Sequence, residues 1–147
     1  MRFSKKSEYA IFALTEIAMR AHKGEQWSPI SQIATATGIP EKFLEQILLV
    51  LKKAGFLQSR RGVEGGYSLK AKAEDLNLEQ VIELLDGGVA VEPESEGRVD
   101  KRRELLFSLL RESEAAARAV LRETSIAQMA ERVAALKGSR AGMEYQI

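Results

Sequence analysis

The feature that most constrains the fold is a change of hydrophobic period near Gly55. Before it, apolar residues recur at helical spacing in three segments, Ser4 to Ala21, Ser28 to Thr37 and Glu41 to Lys53. After it come two short runs typical of strands, Phe56 to Arg60 and Tyr67 to Leu69. The stretch between them is rich in glycine, which accommodates the positive φ angles of a hairpin turn. Three helices followed by a two-stranded hairpin predict a winged helix-turn-helix domain.

Residues at the segment ends support these boundaries. Ser28 is predicted to cap the second helix, with Pro29 at its first helical position, and Gly55 to end the third. Asn77 is predicted to cap a further helix that runs through Asp86. The apolar pattern of the third helix predicts one buried face, made of Phe43, Leu44, Ile47, Leu48 and Leu51.

The second half of the chain has a different organisation. Gly87 to Gly97 has no helical period and is expected to form a loop. Val99 to about Glu123 is predicted to form one amphipathic helix of roughly 35 Å, with a heptad-like stripe of apolar or small residues at Leu106, Leu110, Ser113, Ala117, Val120 and Thr124. Ser125 to Gln128 has the pattern of a capping box that starts a last helix.

This organisation predicts a mainly α fold with four parts. Residues 1–87 form the winged helix-turn-helix domain, and residues 88–100 form the loop. Residues 101–137 form a long dimerisation helix and a short C-terminal helix, and residues 138–147 are expected to be a disordered tail. At 147 residues, such a chain is long enough to bury a sizeable core without covalent cross-links.

Composition excludes several classes of function. The chain has no cysteine, so disulfides, thiolate catalysis, thiolate zinc sites and cysteine-ligated iron–sulfur clusters are excluded. Its single histidine, His22, leaves little for a histidine metal site or a catalytic triad. No apolar run approaches the roughly 20 residues of a membrane span. We therefore expect a cytoplasmic protein that is not an enzyme and holds no metal or cofactor.

The net charge of +1 conceals an asymmetry between the two halves. Residues 1–72 contain 12 Lys or Arg against 6 Asp or Glu, a balance of +6. Residues 73–147 contain 10 against 15, a balance of −5. Such a division suggests that the first half meets a polyanion.

The positions of the third helix that the core does not use can read DNA. Lys42 can donate to guanine or phosphate, Glu45 can accept from a cytosine amino group, and Gln46 can pair with adenine. At the hairpin tip, Arg61 is placed to enter a minor groove. The candidates for phosphate contact are Arg2, Lys5, Lys6, Lys52 and Arg60. The plainer alternative is a solvated helix face beside an ordinary hairpin.

Three other features favour plain structural roles. Glu92, Glu94 and Glu96 alternate in the loop, yet they lack the ligand count of a calcium loop. His22 is expected to be a cation at a helix end rather than a proton switch. Trp27 is expected to pack in the core or against the hairpin rather than line an effector pocket.

Several motifs taken together resemble one family. These are Lys6 to Ala10, Leu44-Glu45-Gln46, Lys53-Ala54-Gly55 and, above all, Arg61-Gly62-Val63-Glu64-Gly65-Gly66-Tyr67. They resemble the Rrf2 family of bacterial winged-helix transcription regulators, which includes iron–sulfur, nitric-oxide-sensing and cysteine-metabolism repressors. The resemblance is dense over residues 2–87 and resumes weakly from Leu121 to Ala127.

The resemblance implies a homodimer that is joined through the long helix and reads a roughly palindromic operator. The family's base-contacting positions fall on Lys42, Glu45 and Gln46, and its wing arginine falls on Arg61. Glu64 departs from the pattern by adding a negative charge near DNA. The loop that carries three cysteines in many members has none here, so sensing through a cluster is excluded.

These observations predict a dimeric, sequence-specific DNA-binding transcription regulator that acts as a repressor. The expected dimer interface contains Leu106, Leu110, Ala117, Val120 and Leu121; the alternative is that this stripe packs within one chain. A small-molecule or protein effector would act by changing the spacing of the two winged domains. The alternative function is a winged-helix module that binds an enzyme or another regulator, favoured by Glu41, Glu45 and Glu64 on the reading face.

Overall fold

The protein is described by a computed structural model over residues 3–87 and 100–144, with side chains through residue 139. The described chain is mainly helical and contains one two-stranded antiparallel sheet. Its elements are α1 (Lys5–His22), α2 (Ile30–Thr37), α3 (Glu41–Lys53), β1 (Leu57–Arg60), β2 (Gly66–Leu69), α4 (Leu78–Asp86), α5 (Lys101–Glu123) and α6 (Ile126–Glu144). The predicted winged helix-turn-helix is confirmed, and none of the described helices is long and apolar enough to cross a bilayer.

Helix α1 is the centre of the core because it contacts α2, α3, α4, α6 and β2. Its small and branched residues at helical spacing allow these elements to approach closely. The fully buried side chains include Leu14 and Ile33, the α3 residues Leu44, Leu48 and Leu51, and Val81. Ile126, at the start of α6, is equally buried and joins the C-terminal helix to this core.

The hairpin is anchored to the rest of the domain through Ser28. Within it, Leu57 pairs with Leu69 and Arg60 pairs with Gly66. The amide of Ser28 donates to the carbonyl of Tyr67 at 2.8 Å, and the amide of Tyr67 donates back at 2.9 Å. These two hydrogen bonds form an isolated antiparallel bridge that joins Ser28 to β2.

This pairing corrects the predicted cap of α2. Ser28 does not cap the helix, because its backbone is paired with Tyr67 and its side chain is fully buried. Pro29 occupies the N-cap position without a side-chain hydrogen bond, so the helix begins one residue later than predicted. By contrast, the predicted cap by Asn77 and the capping box from Ser125 to Gln128 are confirmed.

Two further predictions differ from the structure. Phe43 was assigned to the buried face of α3, yet 56% of it is exposed. The disordered tail was predicted to begin at residue 138, but α6 continues to Glu144. Gly138 lies inside this helix, and one glycine costs only about 1 kcal/mol relative to alanine, too little to end it. Residues 88–99, for which the sequence predicts a loop, and residues 145–147 lie outside the described chain.

Helix α5 stands apart from the core, since none of its side chains is buried. It contacts α4 through ion pairs. Arg122 Nε lies 2.7 Å from Glu79 Oε2, and Arg118 Nη1 lies 3.4 Å from Glu83 Oε1. Helix α6 then returns to pack along α1.

Candidate nucleic-acid interface

Helix α3 is presented to solvent by the turn that precedes it. Gly38 ends α2 in the left-handed conformation at φ 72°, and Pro40 precedes the first turn of α3. Positive φ is accessible to glycine at little cost, so the chain reverses here within a few residues. One face of α3 is then buried and the opposite face is free to enter a groove.

The exposed face of α3 has a definite order. At about 100° per residue, the line opposite the buried side chains runs through Lys42, Gln46, Leu49 and Lys53. All four are exposed. Among the described residues, the side chains of Lys42 and Gln46 have no hydrogen-bond or ion-pair partner, which leaves them available to a ligand. Glu45 and Lys52 are exposed on one flank of this line.

The tip of the hairpin, which we call the wing, is a tight glycine turn. The Gly65 amide donates to the Gly62 carbonyl at 3.0 Å. A Cβ at Gly65 would lie 2.2 Å from the Arg60 carbonyl oxygen, so the chain can close only with glycine there. Gly62 has φ 110°, which also favours glycine. Arg61 and Val63 are consequently held at the surface and exposed.

Arg60 differs from Arg61 because its side chain is engaged at the base of the wing. Its guanidinium lies 4.9 Å from the centroid of the Trp27 ring and donates to the Glu64 carbonyl at 2.9 Å. The structure thus places Trp27 against the hairpin and gives Arg60 a stacking role. A phosphate contact by Arg60 would have to coexist with that stacking.

The basic residues at the start of α1 are exposed but differ in their partners. Lys5 Nζ lies 2.9 Å from a Glu8 carboxylate oxygen, and this hydrogen bond raises the pKa of the lysine. Lys6 is exposed on the same turn. Part of the charge predicted for phosphate contact is therefore already compensated at Lys5. Arg2 lies outside the described residues.

Asp86, the last residue of α4, fastens the start of α1. It accepts from the Ser7 hydroxyl at 2.8 Å and from the Ser4 amide at 3.1 Å. Burial raises the pKa of Asp86, but the bonds from Ser4 and Ser7 and the charge of Lys6 outweigh it and hold the pKa below its usual value. The α1 terminus that bears Lys5 and Lys6 is thereby fixed to the domain.

The residues predicted for a dimer interface fall into two groups on α5. Leu106, Leu110 and Val120 are 54%, 43% and 64% exposed, and Leu105 and Leu109 beside them are also exposed. Ala117 and Leu121 are half-buried in the part of α5 that follows its midpoint. The described part of one chain, residues 3–87 and 100–144, thus leaves most of the stripe uncovered.

A cavity of about 380 Å³ lies between the end of α1 and α6. Alanines form much of its wall, and Met19, His22, Lys23, Glu74 and Glu131 contribute larger or charged side chains. His22 is thus at the end of α1, as predicted, and also borders this cavity.

The sequence pattern did not indicate Phe43 as an exposed residue of α3. Its place in the pattern, next to Leu44 and one turn before Ile47, assigned it to the core. In the structure it lies on the edge of the buried face, where the neighbouring elements do not cover it. Periodicity alone does not distinguish the centre of an apolar face from its edge.

Comparisons with known proteins agree with this geometry. A family model described as "Rrf2: Iron-dependent Transcriptional regulator" matches residues 3–132. An rrf2-like HTH-type transcriptional regulator of Rhodobacter capsulatus is 42% identical over 91 residues, which are 61% of each chain. The chain spans between half and about three fifths of the length of the curated relatives that it matches.

Solved structures extend the similarity beyond the winged domain. The IscR of T. potens has 27% identity and a TM-score of 0.72, covering 90% of this chain and 88% of its own. CymR, the global cysteine regulator of B. subtilis, has 26% identity and a TM-score of 0.76, covering 90% and 98%. The likeness therefore includes much of the C-terminal helices as well as the helix-turn-helix.

Proposed function

Because the chain belongs to the Rrf2 family of transcriptional regulators, we propose that it binds double-stranded DNA as a homodimer and represses transcription by occupying a promoter. The observation that carries this proposal is the outward line of α3, where Lys42 and Gln46 lie exposed. Arg61 lies exposed at the tip of the wing in the same domain. This arrangement is that of a recognition helix for the major groove and an arginine for the minor groove.

The iron implied by the family description does not fit this chain. There is no cysteine to hold a cluster, and His22 is the only histidine. Within residues 3–87 and 100–144, no group of three or more His, Asp or Glu side chains is placed to hold a metal ion. We therefore assign no step of the proposed function to iron. Glu92, Glu94 and Glu96 lie outside the described residues.

Dimerisation is supported by the exposed leucines of α5. Leu105, Leu106, Leu109 and Leu110 form an apolar patch at heptad-like spacing that no part of the described chain covers. Packing this patch on its copy about a two-fold axis would remove it from water. The same symmetry would present two α3 helices to half-sites about one helical turn apart.

The dimer is tested by charge insertion on opposite faces of α5. Leu110→Glu is expected to yield a monomer with strongly weakened operator binding, whereas Ala115→Glu adds the same charge on the far face and leaves both unchanged. Light scattering and DNA titration measure the two properties. A Leu110→Glu variant that stays dimeric would contradict the proposed interface.

Sequence-specific binding is tested by selecting DNA from a random pool at two salt concentrations. We expect a two-fold-symmetric motif with half-sites about 10 base pairs apart. Gln46→Ala should cost about 1–3 kcal/mol and relax one base position in each half-site. Lys52→Ala should weaken binding to all DNA sequences alike. It should also reduce the slope of log K against log salt concentration by about one, the value for one phosphate contact.

The competing function is a winged-helix module that binds protein. It is favoured by the carboxylates of Glu41, Glu45 and Glu64, which lie exposed on the recognition helix and the wing and would repel phosphate. Its expected result is selection without a motif, with any DNA binding lost as salt rises. Such a result would overturn the proposed repressor function.

Control by an effector would require a site that joins the DNA-binding and dimerising parts. The cavity between α1 and α6 has this location, since α1 belongs to the winged domain and α6 follows α5 directly. A ligand there would alter DNA binding only if it bound the two spacings of the winged domains with different affinity. A screen of small molecules for thermal stabilisation, with Ala130→Phe filling the cavity as control, tests this location.

A further inference from the structure

The two flanks of the outward line on α3 differ in chemistry. At about 100° per residue, Glu41, Glu45 and Lys52 lie on one flank, and Phe43 and Val50 lie on the other. Phe43 is 56% exposed and Val50 is 38% exposed. The recognition helix therefore has one polar flank and one apolar flank.

Phe43 is notable because it lies in the first turn of α3, the part of a recognition helix that contacts base edges. The adjacent Leu44 is fully buried, so the core is complete without the Phe43 ring. An aromatic ring left in water at this position gains most if binding to DNA covers it.

The major groove offers one apolar group to such a ring. Each thymine displays its 5-methyl group there, and the other base edges display hydrogen-bond donors and acceptors. Phe43 precedes Gln46 by three residues, which is about 4.5 Å along the helix axis. That separation is close to the 3.4 Å rise between base pairs. Positions three residues apart on a zinc-finger recognition helix contact successive bases, and the same spacing would place the Phe43 ring at the base pair next to the one that Gln46 contacts.

We infer that Phe43 is a specificity-determining residue that recognises the 5-methyl group of a thymine, one base-pair step from the adenine contacted by Gln46. This inference rests on the proposed function, because it concerns the same DNA-reading helix. It adds a contact made by apolar burial to those made by hydrogen bonds. The operator should accordingly contain a required thymine in each half-site.

The test removes the methyl group and nothing else. Each thymine of the selected operator is replaced by deoxyuridine in turn, and the Kd of the unaltered protein is measured. One position per half-site should weaken binding about fourfold, the effect expected for one buried methyl group. The same replacement should not change the Kd of the Phe43→Ala variant. Leu49→Ala, which removes another exposed apolar side chain from α3, should remain sensitive.

The outcomes separate the inference from the proposed function. If selection yields no motif, the proposed function fails and the inference fails with it. If a motif is recovered but no deoxyuridine weakens binding, only the inference fails; this reading uses the unaltered protein and needs no variant to fold. Sensitivity that persists in Phe43→Ala, or that disappears in Leu49→Ala instead, would also overturn the assignment to Phe43.

Discussion

The winged domain buries its apolar residues within one chain, whereas α5 leaves its own apolar residues unburied. Helix α3 places Leu44, Leu48 and Leu51 in a shared core with no exposed surface. Helix α5 has a comparable supply of leucine, yet none of its side chains is buried. Both helices are amphipathic, so the difference does not come from local pattern. It comes from whether a partner surface exists within the same chain.

The comparison indicates that the two regions obtain stability from different sources. The winged domain gains the free energy of apolar burial as soon as one chain folds. For α5, the proposed dimer would supply the equivalent gain, which would then depend on protein concentration. Within one chain, α5 contacts α4 through ion pairs whose arginines are partly exposed to solvent, and such pairs contribute little stability.

The largest expected change in the free energy of unfolding comes from replacing one leucine by alanine, tested separately in each region. Leu48→Ala should lower the free energy of unfolding by about 2–5 kcal/mol, because Leu48 is fully buried and its removal leaves a cavity. Leu110→Ala should have a small effect at low protein concentration and a larger one as concentration rises. Urea unfolding at several concentrations measures both. Equal, concentration-independent losses would remove the distinction between the regions.

The next effect concerns the joint between the wing and the helical core. Gly66 has φ 142°, and a Cβ there would lie 2.3 Å from the Ser28 carbonyl oxygen. Gly66→Ala should therefore destabilise the domain by about 2–3 kcal/mol. Gly24→Ala is a matched control, since Gly24 also has positive φ but has open space around its Cβ position. A thermal unfolding series in which the control is the more damaging would contradict this account.

A smaller, pH-dependent effect is expected at Asp86. Its pKa is lowered in the folded protein, so its stabilisation is present above the unfolded value of about 3.9 and is lost as pH falls through the folded value. Asp86→Asn should cost about 1 kcal/mol near neutral pH, because a neutral amide accepts the bonds from Ser4 and Ser7 less strongly. The cost should shrink as pH falls below the unfolded value and disappear once Asp86 is protonated in the folded protein. Denaturant unfolding from pH 2 to 7, with Asp75→Asn as the exposed control, measures it.

The smallest effect is expected at the ion pairs between α4 and α5. The hydrogen bond from Arg122 is the main cause that holds the pKa of Glu79 below its usual value. Glu79→Gln should lower Tm slightly near neutral pH, and less at acid pH as the carboxylate is protonated. The difference should shrink in concentrated salt, which screens exposed charges. A Tm change that is unaffected by salt would show that Glu79 acts by packing rather than charge.

Local rules were sufficient for most of the winged domain. The bounds of α3 agree with the prediction at both ends, and the Asn77 cap forms as expected. These features depend on residues close together in sequence, such as a capping side chain and the amide three residues on. Lys42, Glu45 and Gln46 lie exposed on α3 because the buried face of this helix was predicted correctly except for Phe43. Arg61 lies exposed on the wing.

The errors occur where distant residues meet. Ser28 has the residue type of a helix cap, but its backbone pairs with Tyr67, far along the chain. The stacking of Arg60 on Trp27 also joins residues distant in the chain and was not predicted, although the phosphate contact predicted for Arg60 stays a prediction. Phe43 has the spacing of a core residue, but no neighbouring element covers it. For Ser28 and Phe43 the residue type permitted two roles, and the contacts available in three dimensions selected one.

The sequence alone determined the order of the helices, the glycine turn of the wing and the absence of any cysteine ligand, because these follow from periodicity, backbone freedom and composition. Only the tertiary structure decided which apolar residues are covered. It buried Leu48, left Phe43 exposed at the edge of α3 and left Leu105, Leu106, Leu109 and Leu110 of α5 exposed to solvent. Burial depends on what packs against a side chain, and that is a property of the assembled chain rather than of any segment.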